Sequence, residues 1–199
     1  MCFGGGNSAQ ASADATSKQI TDQEAARQAA VTAGNKNIDT AFSKFDDPYF
    51  TGYQNAYKGY YNPQVDTQYH DAEGTLESGL ARNGIDNSSI AASQIGRLFG
   101  DYSDQKAAIG NQAVDASNKL RSDVSNEKSN LYALNSASAD PAQANTQALA
   151  ASTALVAPQT FSPLGNVFAN FISPYTAYAN AYSNSAGGAG YTSPYGKVA

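Results

Sequence analysis

The chain has 199 residues and a mass of 20.7 kDa, with 41% hydrophobic residues, only 15% charged residues and a formal net charge of −5. One cysteine, Cys2, and one histidine, His70, exclude a disulfide framework and a multi-ligand His/Cys metal site within one chain. The acidic balance argues against specific nucleic-acid binding, which calls for clustered Lys and Arg. Ala, Ser, Asn, Gln, Thr, Gly and 13 Tyr fill the remainder. That composition is short of aliphatic residues for a large single-chain core. It predicts a homo-oligomer subunit, with a partly disordered chain as the alternative.

No run of 18 apolar residues is present, so no conventional membrane-spanning helix is expected. Met1-Cys2-Phe3-Gly4-Gly5-Gly6 has neither a basic nor an apolar region, and is not expected to act as a signal peptide. Residues 1–17 are small and polar and read as a flexible arm. A helix is predicted over 18–46, where Ile20, Val31 and Phe42 recur every 11 residues with Ile38 and Phe45 on the same side. Eleven residues make three turns, so such a stripe runs nearly straight along a helix. Thr21-Asp22-Gln23-Glu24 resembles a capping box, or lies inside a helix that starts near Ser12.

Asp46-Asp47-Pro48 ends that helix and opens the next. The segment 47–84 is read as Tyr-rich kinked helices. Tyr49, Tyr53, Tyr57 and Tyr60 share one face, Tyr61-Asn62-Pro63 breaks or kinks the chain, and Val65, Tyr69, Ala72, Leu76 and Leu80 resume the spacing until Asn83-Gly84. With no basic residue but Lys58 interleaved, the tyrosines read as a packing seam and not as a base-stacking platform.

Ser88-Ser89 caps the longest segment, 88–137, which contains no proline. Leu98, Ile109, Leu120 and Leu131 stand 11 apart throughout, with Ile95, Tyr102, Ala113, Val124 and Leu134 alongside. This predicts one helix of roughly 70 Å at 1.5 Å per residue. Its narrow apolar stripe calls for partner helices, so these four residues are the expected helix-packing and oligomer contacts.

Asp140-Pro141 starts the last segment, 141–199, in which Lys197 is the only charged side chain. Here Phe161, Phe168, Phe171, Ile172, Tyr175, Tyr178 and Tyr182 recur among Pro158, Pro163 and Pro174, and a Gly/Ser/Tyr-rich, irregular end follows. An uncharged aromatic segment fits a lipid interface or a buried docking segment inside an assembly. The chemistry of catalysis is missing. His70 lies beside Asp71 and Glu73 without a nucleophile motif, and Gly4-Gly5-Gly6 lacks the Lys-Ser/Thr of a phosphate loop. No catalytic residue, metal site or cofactor is expected.

The fold class expected is therefore all-α: extended long helices with kinks, assembled as a helical oligomer with irregular ends. The Met-Cys-aromatic-small start, the Ala/Gln-rich early helix, the turn Leu80-Ala81-Arg82-Asn83-Gly84-Ile85-Asp86-Asn87-Ser88-Ser89 and the poorly charged C-terminal region resemble the small internal virion (ejection) proteins of short-tailed bacteriophages. The resemblance implies a protein stored in the capsid or near the portal, ejected before the genome, and oligomerising as part of a channel in the host envelope. It implies other virion proteins (portal, tail or further ejection proteins) and the host outer membrane as partners. A purely structural virion part (portal-bound, nozzle or plug) and a secreted helical filament subunit are the alternative expectations.

Overall fold

A computed structural model of the chain describes residues 6–156 and 161–171. These residues are almost wholly helical, and none of them lies in a strand. Four long helices follow in order: α1 (Gly6–Phe42), α2 (Asp47–Arg82), α3 (Ser89–Ser138) and α4 (Pro141–Val156). The polar start read as a flexible arm is helical from Gly6, since Ala and Gln favour helix strongly enough to extend α1 to the glycines. The Thr21–Glu24 motif lies inside α1, where Glu24 accepts hydrogen bonds from Arg27 and Gln28 and caps nothing.

Each later helix is opened by the side chain its sequence provides. Asp46 Oδ1 accepts from Tyr49 N at 2.9 Å, Ser88 Oγ from Ala91 N at 3.1 Å, and Asp140 Oδ1 from Ala142 N at 2.9 Å. These satisfy backbone donors that a helix start leaves unpaired. The turn between α2 and α3 is a Schellman motif. Ile85 N donates to Leu80 O and Gly84 N to Ala81 O, with Gly84 at φ 67°. The last turn before α4 places Ala139 at φ 50°, a left-handed conformation that disfavours a Cβ.

Of the break or kink expected at Tyr61-Asn62-Pro63, the break does not occur: α2 runs through Pro63. The proline removes one hydrogen bond, to Gly59, but both residues are exposed, so water satisfies the freed carbonyl. Tyr61 and Val65 on either side are buried and hold the helix in register.

The chain divides into two compact units. Among the described residues, unit 1 comprises 6–50 and 118–156, and unit 2 comprises 51–117 and 161–171. In unit 1, α4 packs along α1. The interior faces repeat at helical spacing: Gly34, Ile38 and Phe42 on α1, Leu120, Val124, Leu131 and Asn135 on α3, and Ala144, Ala148 and Ser152 on α4. The small residues of α4 permit a close approach between helices.

In unit 2, Tyr61, Val65, Ala72, Leu76 and Leu80 of α2 form one core with Ala91, Leu98 and Ile109 of α3 and with Phe168. The 11-residue stripe of α3 therefore serves both units in turn. Leu98 and Ile109 are buried in unit 2, and Leu120 and Leu131 in unit 1, each at most 7% exposed. Their burial is achieved within the chain. Composition alone had left no room for such an interior, yet a single file of apolar side chains per helix is enough to make two thin ones.

Candidate functional site

Three arrangements stand out, the first being a groove on unit 2 that holds residues 161–171. Gln64 and Gln68 lie one turn apart on α2 and bind main-chain atoms of that segment. Gln64 Oε1 accepts from Leu164 N at 2.9 Å and Gln68 Oε1 from Val167 N at 2.9 Å, while Gln68 Nε2 donates to Gly165 O at 3.1 Å. A non-helical stretch has unpaired backbone groups, and the two carboxamides supply what a sheet neighbour otherwise would. Phe168 anchors the segment at 0% exposure. Phe161 rests among Tyr53, Tyr57, Tyr60 and Tyr61, with ring centroids 5.3–6.3 Å away, mostly tilted or edge-on. Tyr57 also donates to Gln112 Oε1 of α3 at 3.1 Å. Burial pushes the Tyr61 phenol above the ordinary tyrosine range.

The second arrangement is a clamp that occurs once in each unit. In unit 2, Tyr102 and Lys106 of α3 both bind Asp66 Oδ1 of α2, at 2.8 and 2.7 Å. In unit 1, Lys128 and Tyr132 of α3 both bind Asp39 Oδ1 of α1, at 2.6 and 2.5 Å. Residues four apart lie on one face of a helix, so a Tyr/Lys pair grips a carboxylate from two sides. The hydrogen bond from the lysine, then that from the tyrosine, holds each carboxyl below the ordinary aspartate range. A charged clamp at the rim of a seam aligns two helices.

The third is the buried amide of Asn135 in unit 1. Its Nδ2 donates to Val31 O at 2.7 Å and to Asn35 Oδ1 at 2.9 Å. Its Oδ1 receives no hydrogen bond and faces Gly34, where a Cβ would sit inside the carboxamide. A buried polar side chain in a largely apolar seam fixes helix register. An open cavity of about 290 Å³ lies beside it, between the end of α3 and the start of α4, lined by Leu134, Ala144, Gln143 and Gln147 among others.

The residues singled out in the sequence fall as follows. Leu98, Ile109, Leu120 and Leu131, expected as helix-packing and oligomer contacts, are buried within the chain. Phe161 and Phe171, expected as membrane or partner contacts, are partly buried against the unit 2 core, and Phe168, expected likewise, lies inside it. They lie in a groove of the same chain, where Gln64 and Gln68 bind the backbone of the segment. Ile172, Tyr175, Tyr178 and Tyr182 lie outside the described residues. His70 is exposed, 3.4 Å from Glu73. Among the described residues no three His, Cys, Asp or Glu side chains stand together as a metal site would need. Sequence reading missed Gln64/Gln68 and both clamps. The clamps alone left a signal: Tyr and Lys four apart on α3, twice.

Comparison with protein-family models, with curated proteins and with solved structures finds no match for this chain.

Proposed function

We propose that the chain is an internal virion protein of a short-tailed bacteriophage, ejected ahead of the genome and assembled from several copies into a helical segment of the delivery conduit. The observation that carries the reading is the first half of α1. From Gln10 to Ala29 every residue is exposed, and an isolated polar helix of that length is marginal in water. A covering subunit supplies the missing stabilisation. The resemblance at Met1–Gly6 and at the Leu80–Ser89 turn supports the phage origin. Thin single-file cores suit passage through a narrow tail, since such interiors come apart at modest free-energy cost.

The test is the protein content of purified virions before and after DNA release. Presence in full particles and loss from emptied ones is expected. Retention in emptied particles replaces this reading with a structural one, in which the chain is a portal-bound, nozzle or plug component. A specific observation favours that second reading. The aromatic side chain expected to meet lipid, Phe168, is committed to the interior of unit 2, and no helix among the described residues is long and apolar enough to cross a membrane.

A further inference from the structure

α1 changes character near Ala30. From there to Phe42 it buries Gly34, Ile38 and Phe42, whereas every residue of Gln10–Ala29 is exposed, with Arg27 reaching Ser136 O near its end. Six positions on this exposed run, Ala11, Ala15, Lys18, Asp22, Ala25 and Ala29, are alternately four and three apart. That alternation is the spacing of a seam between two wound helices.

The order of residues along the seam is self-complementary when reversed. A second copy laid antiparallel, with a two-fold axis at the level of residue 20, sets Ala11 opposite Ala29, Ala15 opposite Ala25 and Lys18 opposite Asp22, every contact occurring twice. An isologous interface requires this reciprocity. Four alanine layers let the backbones approach closely, and two Lys–Asp pairs meet at the centre. The parallel arrangement opposes Lys18 to Lys18 and Asp22 to Asp22, so charge selects the antiparallel one. Ile20, 61% exposed, is the largest apolar side chain of the run, but it lies on the opposite face. An association driven by apolar area alone would use Ile20; one driven by register would ignore it.

We propose that Gln10–Ala29 of α1 is a docking surface for the same segment of a second copy, paired antiparallel through Ala11, Ala15, Lys18, Asp22, Ala25 and Ala29. The inference rests on the assembly reading above and names its partner. Sedimentation of the purified full chain can fail while the virion assay succeeds, and the reverse, so the two are separable.

The test is sedimentation equilibrium of full-length protein at low salt, with circular dichroism confirming that each variant is folded. The wild type is expected to self-associate. Lys18→Asp opposes two aspartates at each central layer and Asp22→Lys opposes two lysines, so each alone is expected to weaken association at least tenfold. A mixture of the two single variants restores opposite charges at both layers and is expected to associate like the wild type, as is the double variant K18D/D22K. Ile20→Ser is expected to leave association unchanged. A wild type that stays monomeric overturns the proposal. So do single charge reversals without effect, a mixture that fails to recover, or loss of association in Ile20→Ser.

Discussion

Gly34 lies against the carboxamide of Asn135, while Gly100 on α3 has open space where a Cβ would go. The same substitution is therefore expected to have opposite signs at the two positions. Gly34→Ala forces the buried amide to move and should cost roughly 1–3 kcal/mol, whereas Gly100→Ala should gain up to about 1 kcal/mol of helix propensity. Urea denaturation midpoints of both variants check this. Ala139, held at positive φ, gives a third case. Ala139→Gly relieves the Cβ and should raise the thermal midpoint by a few degrees, about 1 kcal/mol in a chain of this size. The Asp39 and Asp66 clamps give a pH dependence. A carboxyl whose folded pKa is depressed contributes stability that is fully present above its unfolded value, about 3.9, and lost as pH falls through the folded one. Stability contributed by the clamps should be flat from pH 7 to 5 and fall only below about pH 4. Asp39→Asn and Asp66→Asn should each flatten that acid limb in denaturation measured against pH. Both side chains are about half exposed, so each pair contributes no more than roughly 0.2–1 kcal/mol.

The starts of α2, α3 and α4 were written in their capping residues, and the seam of α3 in its 11-residue spacing. The burial partner of that seam was not. Periodicity names the face of a helix that avoids water, but it is silent on whether the covering helix belongs to the same chain. Leu98 and Leu131 look alike in sequence and end in different units. Leu98→Ala and Leu131→Ala should each destabilise by roughly 2–5 kcal/mol, and the loss should not depend on protein concentration, as it would for residues buried between copies. The segment 161–171 was legible as uncharged and aromatic. Its seat was not, because Gln64 and Gln68 bind main-chain atoms and so leave no mark on the sequence they hold. Gln64→Ala with Gln68→Ala should speed proteolytic cleavage within 161–171 while leaving the helical circular dichroism largely intact.

For the molecule as a whole, all 17 acidic side chains precede Pro141, and the isoelectric point is about 4.7. Net charge thus vanishes at a pH where the two aspartate clamps are still closed. Loss of solubility and loss of structure should separate on the pH axis. Turbidity is expected to peak near the isoelectric point with helical circular dichroism retained, and helix content to fall only at lower pH. Coincident transitions would mean that the clamped carboxylates titrate with the rest. Composition underestimated how much of this chain folds on itself, because glycines and serines lie outside the apolar percentage and alanines bring little aliphatic bulk. Packed at Gly34, Ala144, Ala148 and Ser152, they make an interior.

Unit 1 is assembled from the two ends of a long detour. Asn135 reaches Val31, and Asn37 reaches Pro141, each across 104 residues of chain, whereas the Leu80–Ile85 turn closes over five. Loop-closure entropy makes distant contacts late, so the α2–α3 turn is placed to form early and unit 1 to close last. On the ribosome, α1 is synthesised first and then waits about a hundred residues for α3 and α4 to emerge. During that interval Ile38 and Phe42 are uncovered on the nascent chain, which makes the first helix the stretch most in need of a chaperone.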